Sequence, residues 1–220
     1  MGRGTGLIAR LARAERYGPV LLLLALTLLA GAVMRASVGA ALSALFAVAL
    51  WTSVCSAARL PRRVRDTGLA AGAGIVVVAV LAAVLGSGRL RAAGDLLVAL
   101  AVAALAVIIA RSLAREGRVT LSTIAGLLCL YLLIGLFFAQ LYLAVADVHD
   151  GAFATSLAGL ERFDLTYFSF VALTTVGFGD ITPAIHLTQA LAMSEAVIGQ
   201  IFLVTVVAAA VGRVGPLRRS

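Results

Sequence analysis

The chain has 220 residues, 62% of them hydrophobic, with a mean hydropathy of +1.10 and a formal net charge of +8. So apolar a chain cannot clothe its surface in polar groups, and lipid must be its solvent, which excludes a soluble fold. No histidine–carboxylate–nucleophile set and no phosphate-cradling loop occurs, so the sequence offers no enzyme chemistry.

In chain order, apolar runs occupy residues 17–34, 36–58, 67–88, 96–110, 119–146 and 181–212, the last interrupted only by Glu195. A spanning helix needs about 20 residues. The run 96–110 is short, but residues 92–94 extend it and Arg111 can snorkel to the interface. Six spanning helices are therefore expected, in an all-α membrane protein. The chain divides near Arg118 into a four-helix unit, 1–118, and a second unit, 119–220. Cys55 and Cys129 fall in different spans and read as small apolar residues rather than a disulfide.

All 18 basic residues are arginine. With both termini cytoplasmic, the inner segments hold Arg3, Arg10, Arg13, Arg16, Arg59, Arg62, Arg63, Arg65, Arg111, Arg115, Arg118, Arg213, Arg218 and Arg219. The outer segments hold only Arg35, Arg89, Arg91 and Arg162. This asymmetry sets a multi-pass topology in a plasma or cell inner membrane. The positive charge thus reads as topology, with an affinity for anionic lipid at the cytoplasmic face, and nucleic acid is not an expected partner.

The fourth span, DLLVALAVAALAVIIARSLAREGR, is bare until Arg111. Moving one charge through the membrane field is worth about 2.3 kcal/mol per 100 mV, and a helix that senses voltage carries several. No such sensor is expected here.

Residues 147–162 are polar, with Asp147, Asp150 and Glu161, and read as an extracellular turret. Asp164 is expected to N-cap a short helix running to about Leu173. That helix is too short to span, and its C-terminal end directs a partial negative charge into the membrane. Next come Thr174, Thr175, Val176, Gly177, Phe178, Gly179 and Asp180. Hydroxyls precede two alternating glycines, and a carboxylate follows. Glycine permits positive φ. In hydrocarbon surroundings such irregular backbone survives only where protein buries it or where it lines a water-filled path.

The run DLTYFSFVALTTVGFGDITP, residues 164–183, resembles the pore helix and selectivity filter of potassium channels. The later run LAMSEAVIGQIFL resembles the inner helix of small prokaryotic members. The resemblance covers roughly residues 119–212. It implies a homotetramer with a re-entrant pore helix and filter loop from each subunit, conducting K+ passively without a cofactor. The carbonyls of Thr175, Val176, Gly177 and Phe178 and the Thr175 hydroxyl would replace the ion's water, whose loss otherwise costs on the order of tens of kcal/mol. Gly179 would complete the ion-binding filter with these four residues, Thr174 would support it, and Val176 would pack against the pore helix. Asp180 would place a carboxylate at the outer mouth, bonded by the Tyr167 hydroxyl. Glu195 would bond a pore-helix hydroxyl, Ser169 or Thr174, one turn before Gly199, which stands where the family has a gating-hinge glycine. Gln200 and Leu203 would face the cavity.

Four positions depart from the commonest pattern. Phe178 replaces a tyrosine, Tyr167 and Phe168 stand where many relatives have two tryptophans, and Val171 stands where some have glutamate. A weakly selective cation channel, a potassium-uptake subunit and a membrane sensor with a vestigial pore are the competing readings. The intact run 175–179 argues against each.

Overall fold

The structure, a computed structural model, describes residues 17–33, 70, 74, 77, 87–115, 120–156 and 159–213. Its elements are α1 (Gly18–Val33), α2 (Gly88–Ala114), α3 (Leu121–Ala146), β1 (Phe153–Thr155), α4 (Arg162–Leu173), β2 (Ile181–Pro183) and α5 (His186–Arg213). Among the described residues, three helices are long and apolar enough to cross a membrane: Gly88–Ala114, Ser122–Ala146 and His186–Val206. The expected span 36–58 lies outside the described residues. Of the span 67–88, Ala70, Gly74 and Val77 are described and are helical.

The boundaries depart from the sequence expectations at three places. Helix α2 starts at Gly88, so Arg89 and Arg91 lie in its first turn and Asp95 within it, rather than in a loop. Arginine is a good helix former, and its long stem keeps the charge in water while the backbone stays helical. Helix α4 starts at Arg162 with Glu161 as its N-cap residue, not Asp164. Asp164 serves that terminus from inside the first turn, accepting the Glu161 N–H at 2.7 Å. Helix α5 starts at His186, because residues 181–183 form β2. Pro183 has no N–H to give a helix, and its fixed φ suits the end of an edge strand.

Two cores hold the elements together. In the first, Tyr17, Val20 and Leu24 meet Leu105, Ile109 and Leu113 of α2 and Cys129 and Leu133 of α3. The spacings of three and four residues put each set on one helical face. The Tyr17 hydroxyl donates to Ser112 Oγ at 2.9 Å. This core draws on both sides of residue 118.

The second core surrounds α4. Phe138, Tyr142 and Leu143 of α3 pack with Phe153, Leu165, Phe168 and Ile181. Phe168 lies edge-on to Tyr142 and to Phe153, with ring centroids 5.1 and 5.3 Å apart, a favoured aromatic geometry. The antiparallel pair β1–β2, with Phe153 opposite Pro183 and Thr155 opposite Ile181, ties the turret to the segment leaving residue 180. Below it, Ala184 N–H and the Thr188 hydroxyl both reach the Ala152 carbonyl, each at 3.0 Å.

Candidate functional site

Helix α4 ends by turning its last carbonyls inward on its own continuation. Thr174 N–H and hydroxyl donate to Phe170 O at 3.1 and 2.7 Å. Thr175 N–H reaches Ala172 O at 2.9 Å and Val176 N–H reaches Val171 O at 3.0 Å. The Leu173 carbonyl accepts the Tyr131 hydroxyl of α3 at 3.2 Å. All four carbonyls that a helix end leaves unpaired are thereby satisfied. Thr174 therefore bonds its own helix rather than Glu195.

Beyond this knot the backbone alternates in handedness. Thr175, Gly177 and Gly179 have φ of 58°, 59° and 80°, whereas Val176 and Phe178 are not in the positive region. Alternation of this kind turns successive peptide planes the same way, so that like groups line one side of the strand. Thr175 has a Cβ, and holding it in the left-handed region costs on the order of 1–3 kcal/mol. Such strain persists where surrounding structure over-determines it, here through the hydrogen bonds at 174–176. Residues 174–179 are all exposed in the single chain. Val176 is 55% exposed, so its side chain packs only partly on its own subunit.

The outer end of the strand is held from behind. The Tyr167 ring stacks on Phe178 with centroids 6.3 Å apart, with the Asp180 carboxylate in the surroundings of the Tyr167 hydroxyl. Asp180 Oδ1 also accepts Ile181 N–H at 3.1 Å, and its carbonyl accepts Ser156 N–H at 3.1 Å.

At the inner end, Gln200 Nε2 of α5 donates to Thr175 Oγ1 at 3.1 Å. One turn earlier, Glu195 is fully buried. It takes Tyr142 OH on Oε2 at 2.6 Å and meets Ser169 Oγ at Oε1 at 2.5 Å. Ser169 Oγ also lies 2.7 Å from the Gly135 carbonyl. Three helices, α3, α4 and α5, thus converge on one carboxyl group. Gly199, on the same face, lies against Leu173: a Cβ there would stand 2.5 Å from the Leu173 carbonyl oxygen. Close approach of two elements explains glycine at this position in the conformation observed.

Sequence reasoning had brought Ser169 to Glu195, but not Tyr142 or Tyr131. A signal was present, because Tyr131, Gly135, Phe138 and Tyr142 recur at three- and four-residue steps on one stripe of α3. Of the turret acids, Asp147 is engaged by Arg91 and Arg162.

Residues 126–214 match a family model described as an ion channel. No curated protein and no solved structure matches the chain.

Proposed function

We propose that the chain is one subunit of a homotetrameric potassium-selective channel, a reading that starts from the match of residues 126–214 to a family model described as an ion channel. One observation carries this reading above the others: the alternating handedness of residues 175–179. It suits a strand whose carbonyls face a common axis. Four such strands ring an ion completely, and closed rotational symmetry is the ordinary way to bring four identical strands together. The carbonyls of Thr175, Val176, Gly177 and Phe178, with the Thr175 hydroxyl, exchange for the ion's hydration shell. Asp180 raises cation concentration at the outer mouth.

Glu195 ties the inner helix to the pore helix, and Gly199 lets α5 rest on the last turn of that helix. Movement of α5 is then felt at Thr175 through Gln200. The absence of arginines across residues 95–110 supports a weak dependence on voltage. The arginine asymmetry supports a cell-membrane location with both termini cytoplasmic, where anionic lipid meets the basic inner surface.

The test is ion flux through purified protein in liposomes, potassium against sodium, with barium as blocker. Potassium flux that greatly exceeds sodium flux and stops with barium is expected. Equal permeation of the two ions overturns selectivity, and absence of flux overturns conduction.

A further inference from the structure

Away from the conduction strand, four charged side chains from three helices meet. Arg162, the first residue of α4, directs its guanidinium fork at two acids on two other helices. Its Nη2 lies 2.5 Å from Asp95 Oδ1 of α2, and its Nη1 lies 3.0 Å from Asp147 Oδ2. Asp147 is the C-cap residue of α3. Arg91, one turn before Asp95 on α2, sets its Nε 3.6 Å from Asp147 Oδ1. Asp95 is only 7% exposed, and its second oxygen, Oδ2, is buried without a hydrogen-bond partner.

A half-satisfied buried carboxylate is costly, and a packed apolar residue of similar size often gives equal or greater stability. Stability alone is therefore a poor reason for Asp95. Geometry supplies a better one. A guanidinium fork recognises two acceptors in fixed directions, so it locates the helix that carries it more sharply than an ammonium does. Helix α4 has 12 residues, a stiff rod of about 18 Å. Its far end is held by Tyr131 OH on the Leu173 carbonyl and by the contact at Gly199. Arg162 holds its near end.

We infer that Asp95 is a positioning residue for the conduction strand, acting through Arg162. It gives α2, which lies outside the matched residues 126–214, a mechanical hold on the pore helix. A tilt of α2 against α3 moves Arg162, and the rod carries that movement to Thr174 and Thr175. The inference rests on the conducting role proposed above for residues 175–179.

The experiment compares wild type with Asp95→Asn, Arg162→Gln, the double variant, and the exchange Asp95→Arg with Arg162→Asp, all as full chains in liposomes. Barium affinity and the time course of potassium flux report the filter, and thermal melting in detergent reports the fold. Each single variant is expected to shift barium affinity or the rate of flux decline by about tenfold, the scale of one hydrogen bond to a charged group. The double variant is expected to add little to either single one, as members of one interaction do. The exchange is expected to restore part of the loss. Melting that falls while barium affinity and flux kinetics stay at wild-type values overturns the inference, leaving a structural anchor only. Should Asp95→Asn fail to assemble, Arg162→Lys keeps the charge and loses the fork, and wild-type filter behaviour in that variant overturns the inference equally. A wild type without potassium flux fails the conducting role itself, a result distinct from either.

Discussion

Ser169 has a single hydroxyl hydrogen and two acceptors in reach, the Gly135 carbonyl at 2.7 Å and Glu195 Oε1 at 2.5 Å. One hydrogen divided between two acceptors leaves both contacts long, and these are short. A side chain at position 195 that brings a hydrogen of its own toward Ser169 serves both acceptors. Glu195→Gln is accordingly expected to keep potassium flux and melting temperature close to wild type, its amide N–H facing Ser169 and its carbonyl taking the Tyr142 hydroxyl. Glu195→Ala leaves the buried Tyr142 hydroxyl unsatisfied at about 1–3 kcal/mol, and should lower the melting temperature and abolish flux. Flux and melting are measured on the same preparations. A second residue-scale prediction concerns Tyr167. Removing its hydroxyl in Tyr167→Phe leaves the ring on Phe178 but takes a polar group from beside Asp180, so potassium flux should decline faster after activation. Stopped-flow traces indistinguishable from wild type would count against that role.

Elements make their own demands. Helix α5 rests on the end of α4 because Gly199 has no side chain, and the obstacle to a larger residue is backbone, which cannot rotate away. Gly199→Ala should therefore force the helices apart, with a penalty of about 1–3 kcal/mol in melting experiments and a loss of flux. A fully active, equally stable Gly199→Ala protein contradicts the close approach. At this scale the sequence was partly legible. The end of α4 at Leu173 followed from the hydroxyl and glycine residues after it. Its start did not, because Glu161 and Asp164 both offer carboxylates and only the folded turn distinguishes cap from first-turn residue. Strands β1 and β2 have three residues each, too few for any alternation to register. Their pairing joins positions about thirty residues apart, which local pattern cannot report. Asp95 was passed over for a related reason: it stood at the edge of an apolar run, and its partner Arg162 is brought near only by the fold.

For the whole molecule, hydropathy marked the membrane-crossing helices α2, α3 and α5 well, since length and apolarity are written into the sequence directly. The irregular backbone at residues 175–179 was legible because glycines at alternate positions have few other uses between apolar helices. How α1 and α2 lean on α3 was not legible, because every face of these helices is apolar and periodicity has nothing to select. The arginine-free stretch 95–110 of α2 leads to one further expectation: conductance measured across a planar bilayer should vary shallowly with voltage, without the several gating charges per subunit that a sensor helix confers. A steep curve refutes it. The exposure of residues 174–179 in the isolated chain has a last consequence. A newly inserted subunit presents bare peptide groups to hydrocarbon, at several kcal/mol for each one left unsatisfied. On the proposed assembly, solitary copies are expected to be short-lived intermediates of biogenesis, a point that pulse-chase of the expressed chain checks. If four copies assemble at random, equal co-expression with a filter-dead chain leaves about one complex in sixteen free of the poisoned copy.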